Sequence, residues 1–108
     1  MQTMTRPMAV VQAQGSLNAS NAKDFQVAMV QQLQSDLSSG LVVDMSGVES
    51  LDSAGLIALV AALKQARQQQ KRFCLCTVPP SIRIIFELTQ LDRAFEMIDA
   101  MPQMAAAA

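Results

Sequence analysis

The chain has 108 residues, 51% of them apolar, with a formal net charge of −1 and a pI near 5.1. That length suits one domain, and that apolar share is enough to bury a core. The absence of histidine excludes Ser-His-Asp and Cys-His catalysis and histidine metal sites, and no window is basic enough for a nucleic-acid footprint.

Met8 to Ala13 reads as a strand centred on Val10 and Val11. Gly15-Ser16-Leu17-Asn18 is a turn leading into a helix near Ser20. Ala22, Phe25, Met29 and Leu33 form one stripe of that helix, with Gln26, Gln31 and Gln34 largely outside it. Ser35 to Gly40 closes it. Leu41 to Met45 is a near-continuous apolar run, which predicts a strand buried on both faces of a parallel or mixed sheet. Ser46 to Leu51 reads as a loop. Gly55 to about Gln70 reads as a long helix, with Leu56, Leu59, Val60 and Leu63 recurring at helical spacing. Phe73 to Val78 is a third strand, broken by Pro79-Pro80, and Pro80 suits the first helical position. Ile82, Ile85, Phe86 and Thr89 give a third helix one apolar face. Phe95 to Ile98 is a short last strand. Strands alternating with helices predict an α/β layer structure with crossover connections. Residues 1–100 form the expected domain, and Met101 to Ala108 is an Ala-rich flexible tail.

The chemistry-bearing groups are few. Asp52 and Ser53 stand at the seam between an apolar strand region and an apolar helix, where unpaired backbone N–H groups and the helix dipole favour negative charge. Asp or Ser there is an ordinary N-cap, worth about 1 kcal/mol, and Ser53 can be a modified residue while Asp52 caps. Asp44 and Asp52 flank one stretch but have no third partner, so a catalytic carboxylate pair is not expected. Cys74 and Cys76 fall on one face of a strand; two thiols alone make no structural zinc site, and a reduced, core-packed pair fits a cytosolic compartment. Lys64, Arg67, Lys71 and Arg72 cluster at a helix end, where they complement its dipole. No metal, cofactor or catalytic residue is expected. The polar start and the shortness of the longest apolar run, Leu56 to Leu63, predict neither a signal peptide nor membrane insertion, and hence a cytoplasmic protein.

Val42-Val43-Asp44-Met45-Ser46-Gly47-Val48-Glu49-Ser50-Leu51-Asp52-Ser53-Ala54-Gly55-Leu56 resembles the central signature of STAS domains of the anti-sigma factor antagonist type. Gly15-Ser16-Leu17-Asn18, Phe73-Cys74-Leu75-Cys76 with Pro79-Pro80-Ser81-Ile82, and Leu88-Thr89-Gln90-Leu91 with Phe95 and Ile98 extend the likeness from about Met8 to Asp99. The resemblance implies an α/β fold, a small mixed β-sheet with helices packed mainly on one side. It implies partner switching: an anti-sigma factor serine kinase of the histidine-kinase-like ATPase class binds the unmodified domain and phosphorylates Ser53, and a metal-dependent serine phosphatase reverses this. The expected partner contacts are Asn18 and Ser20 in the early turn and Asp52, Ser53, Ala54, Gly55 and Leu56. The dipole at Gly55-Leu56 is expected to offset part of the phosphate's charge within the fold. The chain departs from the family in carrying Asn18 where an Asp is frequent and Ala54 where Ser or Thr is common. Its first edge strand is either truncated or formed by Thr3 to Pro7. Competing readings are a constitutive STAS scaffold in a larger regulatory or transport assembly, a small-molecule or nucleotide sensor, and an enzyme, the last disfavoured by the missing histidine.

Overall fold

A parallel strand–helix–strand unit closes right-handed in about 98% of cases, so units that advance in one direction across a sheet stack their helices on one face. The computed structural model describes residues 7–100, and they follow that rule. The elements run β1 (Ala9–Leu17), α1 (Ala22–Gln34), β2 (Gly40–Leu51), α2 (Ser53–Gln68), β3 (Arg72–Cys76), α3 (Pro80–Leu88), a 3-10 turn (Leu91–Arg93) and β4 (Glu96–Ile98). The sheet order is β1-β2-β3-β4, and all three pairings are parallel. A mixed sheet needs an antiparallel strand in addition; the expected donor, Thr3 to Pro7, lies outside the described residues except for Pro7, as does the expected tail from Met101 to Ala108.

Alternation along the strands sorts the side chains into two layers. Ala13 of β1, Leu41, Val43 and Met45 of β2 and Phe73 and Leu75 of β3 join the main core with Met29 and Leu33 of α1, Leu59, Ala62 and Leu63 of α2, and Ile82 and Phe86 of α3. The opposite layer holds Met8, Val42, Cys74 and Cys76 with Ile98 against them, and no helix residue. The helices therefore lie on one side, as expected. The small residues Ala58, Ala62 and Ala66 line the buried face of α2 and allow it to lie close on its neighbours.

Two strands are longer than their apolar runs. β1 continues through Gly15 to Leu17, and β2 through Ser46 to Leu51, where a loop is expected from sequence. The cause is pairing. Gln14 faces Gly47, Gly15 faces Val48, and Ser16 and Leu17 face Ser50 and Leu51, with register shifts on either side of the Gln14 and Gly15 pairs. The irregular ladder hides the period-2 signal that marks a strand. Gly15 supplies a positive φ of 71° at the shift, a conformation that costs glycine nothing.

The cationic cluster is structural. Arg67, in the last turn of α2, donates from Nη2 to the Ala94 carbonyl. Lys71 and Arg72 lie beyond α2 rather than at its end, so they do not serve its dipole. Arg72 instead forms a two-pronged pair with Glu96 across the β3–β4 edge. Arg72's hydrogen bond holds the Glu96 carboxyl below its usual range, while burial pushes the neighbouring Cys74 thiol up to about 11. Both cysteines are buried and reduced. Lys71 reaches the far end of α1: its ammonium donates to the Leu33 and Ser35 carbonyls, both at 2.6 Å, groups that the helix itself leaves unpaired. Ser38 Oγ donates to the Gln32 carbonyl at 2.9 Å in the same terminus. Lys71→Met keeps the aliphatic stem but takes the donor from the Leu33 carbonyl, while the Ser35 carbonyl keeps the Ser38 N–H at 3.3 Å. It is expected to lower unfolding stability by about 1–3 kcal/mol, read as a lower urea midpoint with an unchanged slope; an unchanged midpoint would show that water replaces the ammonium at no cost.

Candidate functional site

The ends of β1 and β2 deliver two segments to one place. Leu17 and Leu51 are register partners, and Asp52 N–H donates to the Leu17 carbonyl at 3.0 Å. The turn that follows Leu17 and the helix that follows Leu51 are therefore neighbours, although 34 residues separate them in sequence (51 − 17).

The first segment is a self-bonded polar turn. Asn18 Oδ1 accepts from Ser20 N–H at 3.0 Å and from Ser20 Oγ at 2.6 Å. Asn18 N–H donates to Asn21 Oδ1 at 3.0 Å, and Asn21 Nδ2 donates to the Ser16 carbonyl at 2.7 Å. The Asn18 carbonyl accepts from Asn21 N–H and Ala22 N–H at 3.1 and 2.8 Å, starting α1. An Asn at position 18 thus does the work of an Asx turn, with its side-chain oxygen committed inside the chain. Ser50 Oγ donates to Ser16 Oγ at 2.8 Å and ties the two strand ends together.

The second segment is the start of α2. Asp52 is the N-cap: its Oδ1 accepts from Ala54 N–H at 2.9 Å and Gly55 N–H at 3.1 Å, and its carbonyl accepts from Leu56 N–H at 3.0 Å. Ser53 is the first helical residue and is exposed. Among the described residues its hydroxyl makes no hydrogen bond. Gly55 is buried because the helix start presses on β1. A Cβ there would stand 2.7 Å from Leu51 Cδ1 and 2.8 Å from both Leu17 Cβ and the Leu17 carbonyl oxygen. Ala54 and Leu56 are half-buried against the core.

All seven residues singled out from sequence therefore fall in two touching segments: Asn18 and Ser20 in the turn, and Asp52, Ser53, Ala54, Gly55 and Leu56 in the helix start. Leu56, half-buried, offers less surface than its neighbour Ile57, which is 65% exposed one turn beyond Ser53. Residues four apart share a helix face, so Ile57 stands beside Ser53. Its sequence signal was its place off the apolar stripe of Leu56, Leu59, Val60 and Leu63. Asn21 and Ser16 also belong to the framework; the Ser-x-Asn-x-x-Asn spacing carries the Asx geometry but has no apolar period to mark it. Asp44 stands apart, its Oδ1 taken by Ser46 N–H at 3.0 Å, with seven residues of β2 between it and Asp52. Among the described residues no group of three acidic or thiol side chains can hold a metal, and no helix is long and apolar enough to cross a membrane.

Residues 2–104 match the family model described as the STAS domain. The chain belongs to the STAS domain family. BtrV of Bordetella bronchiseptica, a protein provisionally named as an anti-sigma factor antagonist, is 28% identical over 100 residues, covering 93% of this STAS domain and 85% of BtrV. A Thermotoga maritima protein with the same provisional name superposes with a TM-score of 0.77 at 26% identity, over 85% of this chain and 79% of that one. The Bacillus cell-fate determinant SpoIIAA in its phosphorylated form superposes with a TM-score of 0.70 at 16% identity, over 94% and 90% of the two chains, which is a likeness of fold. The STAS domain thus carries the Asp-Ser-x-Gly-Leu stretch at the first turn of α2, on the same end of the sheet as its early polar turn.

Proposed function

We propose that this STAS domain is an anti-sigma factor antagonist that works by partner switching, with Ser53 as its phosphorylated residue. The observation that carries the reading is the state of Ser53: exposed, unbonded and at the first position of a helix fixed from behind by Gly55 against Leu17 and Leu51. Such a hydroxyl can gain or lose a phosphate without any core contact changing. In the unmodified form the surface of Asn18, Ser20, Asp52, Ser53, Ala54 and Leu56, with the buried Gly55 beneath it as support rather than contact, binds an anti-sigma factor serine kinase of the histidine-kinase-like ATPase class, which releases its client. In the kinase, Ser53 Oγ attacks the γ-phosphorus of ATP, the bond to the ADP oxygen breaks, and the hydroxyl proton leaves to solvent. A metal-dependent serine phosphatase hydrolyses the ester back to serine and inorganic phosphate. The domain is the substrate of these reactions and catalyses neither. On this reading the domain works in the cytoplasm with its partners.

The phosphate adds about −1.5 to −2 charge at neutral pH to a surface that already carries Asp52. Like-charge repulsion and the desolvation of the phosphate at a contact cost enough to release a partner, since about 1.4 kcal/mol is tenfold in affinity. The names of BtrV and the Thermotoga protein, and a phosphorylated relative of the same fold, support the reading. Ser53→Ala and Ser53→Asp proteins used side by side as baits in lysate of the source organism are expected to differ in one partner. The Ala form retains an ATPase kinase, and the Asp form or the phosphoserine form binds it at least about tenfold more weakly. Equal retention by the Ala and phosphoserine forms would sink the switch and leave a constitutive scaffold.

A further inference from the structure

A phosphate at the start of a helix ordinarily folds back onto the unpaired amides there, and the dipole partly neutralises it. The geometry of α2 blocks that route. Of the amides in its first turn, those of Ala54 and Gly55 are already held by one oxygen of Asp52, and that of Leu56 by the Asp52 carbonyl. In the adjacent turn the Ser20 amide and hydroxyl are both given to Asn18 Oδ1, and the Asn18 amide is given to Asn21. The charged side chains on the elements that meet here are Lys23 and Asp24 in the first turn of α1 and Glu49 near the end of β2. None forms an ion pair with Asp52 among the described residues, where the pairs are Arg72 with Glu96 and Arg83 with Asp99.

We infer that Asp52 is a positioning residue that keeps a phosphate on Ser53 un-neutralised by its own chain. Holding the Ala54 and Gly55 amides, its carboxylate leaves the phosphoryl oxygens only the Ser53 amide among the donors of the helix start, and it adds a like charge beside them. The phosphate is turned outward at full charge, and Asp52 sets how large a signal the partner meets. The inference rests on the reading of Ser53 as the modified residue, and it changes one expectation from sequence: the dipole at Gly55-Leu56 is spent on Asp52 rather than on the phosphate.

The test needs no partner. Full-length protein is made with phosphoserine incorporated at position 53, in the wild type and in Asp52→Asn and Asp52→Ala backgrounds, and the phosphate is titrated by phosphorus NMR while nitrogen–proton spectra follow the amides. In the wild type the second ionisation is expected at or above that of a free phosphoserine peptide, and the Ala54 and Gly55 amide resonances ignore it. Asp52→Asn, which keeps a cap of equal quality, lowers the midpoint by about one pH unit through removal of the like charge. Asp52→Ala lowers it further, and the Ala54 and Gly55 amides now follow the phosphate. The Asn variant separates these effects from unfolding, because its helix start remains capped. A wild-type midpoint below that of the peptide, with the two amides tracking it, would mean that the phosphate displaces the carboxylate, and the inference falls. Identical midpoints in all three proteins overturn it as well. Its failure leaves the switch intact, whereas a phosphoprotein that titrates as expected yet holds the kinase as tightly as the unmodified form would sink the switch alone.

Discussion

Gly55→Ala is expected to cost this domain both stability and binding of its proposed partner. The added methyl would lie 2.7 Å from Leu51 Cδ1, and that side chain can yield. It would also lie 2.8 Å from the Leu17 carbonyl oxygen, which cannot, because that oxygen holds Asp52 N–H at 3.0 Å. The start of α2 must therefore move off β1. Forced overpacking costs about 1–3 kcal/mol, against a gain of up to about 1 kcal/mol from the better helix propensity of alanine. The net loss is expected at about 1–2 kcal/mol, which lowers the melting temperature of a domain this size by roughly 5–10 °C. Moving the first turn also takes Ser53 and Asp52 out of register with Asn18, so capture of the proposed kinase is expected to fall as far as with Ser53→Asp. The checks are a thermal melt and a capture assay run below the transition. A variant that melts like the parent and still binds would show that Leu17 and Leu51 make room without moving the helix.

Phe86→Ala is expected to give the largest loss of stability, and by a route that spares the site. Phe86 is fully buried on α3. Its ring meets Phe95 edge-on at 5.3 Å and 80°, and Phe95 in turn meets Phe73 at 6.0 Å. These are three of the four phenylalanines in a chain without Trp or Tyr, so the cluster holds most of the aromatic packing that joins α3, β3 and the segment between the 3-10 turn and β4. Removal of the ring is expected to cost about 3–5 kcal/mol, a large share of a typical total of about 5–15 kcal/mol. Urea unfolding reads that loss directly. Below the transition, the folded fraction is expected to bind the proposed kinase with parental affinity, since the backbone of α3 makes no close approach to α2. A loss below about 1 kcal/mol would mean that Ile82, Ile85 and Phe95 collapse into the space; a loss of affinity in the folded fraction would link α3 to the site.

What the sequence revealed was what repeats. α1 and α3 are legible in the spacings of Phe25, Met29 and Leu33 and of Ile82, Ile85 and Phe86, and the middle strand in the unbroken run Leu41 to Met45. Asp52 and Ser53 were legible as a cap and a hydroxyl because a polar pair breaks two apolar runs. The stretch Ser46 to Leu51 was not legible as strand, since Ser46, Gly47, Glu49 and Ser50 are exposed and only Val48 and Leu51 reach the core; its structure comes from β1, through a ladder with two register shifts. Lys71 read as a dipole partner of its own helix, because nothing local shows that a later residue reaches carbonyls 36 and 38 positions earlier. The same limit hid the tie from Asp52 to Leu17. Contacts between distant segments leave no period in the chain.

That tie has a consequence for how the molecule is made and kept. Parallel strands cannot pair until the intervening crossover is formed, and such non-local contacts come late and at an entropic cost. Before β1 has docked on β2, a nascent chain already contains Asp52, Ser53 and Gly55 in order, yet the turn of Asn18 and Ser20 is nowhere near them. Local opening of β1 in a finished molecule undoes the arrangement in the same way. A partner that reads both segments at once therefore engages only molecules whose β1 is in place, and unfinished or damaged copies of the chain stay out of the circuit.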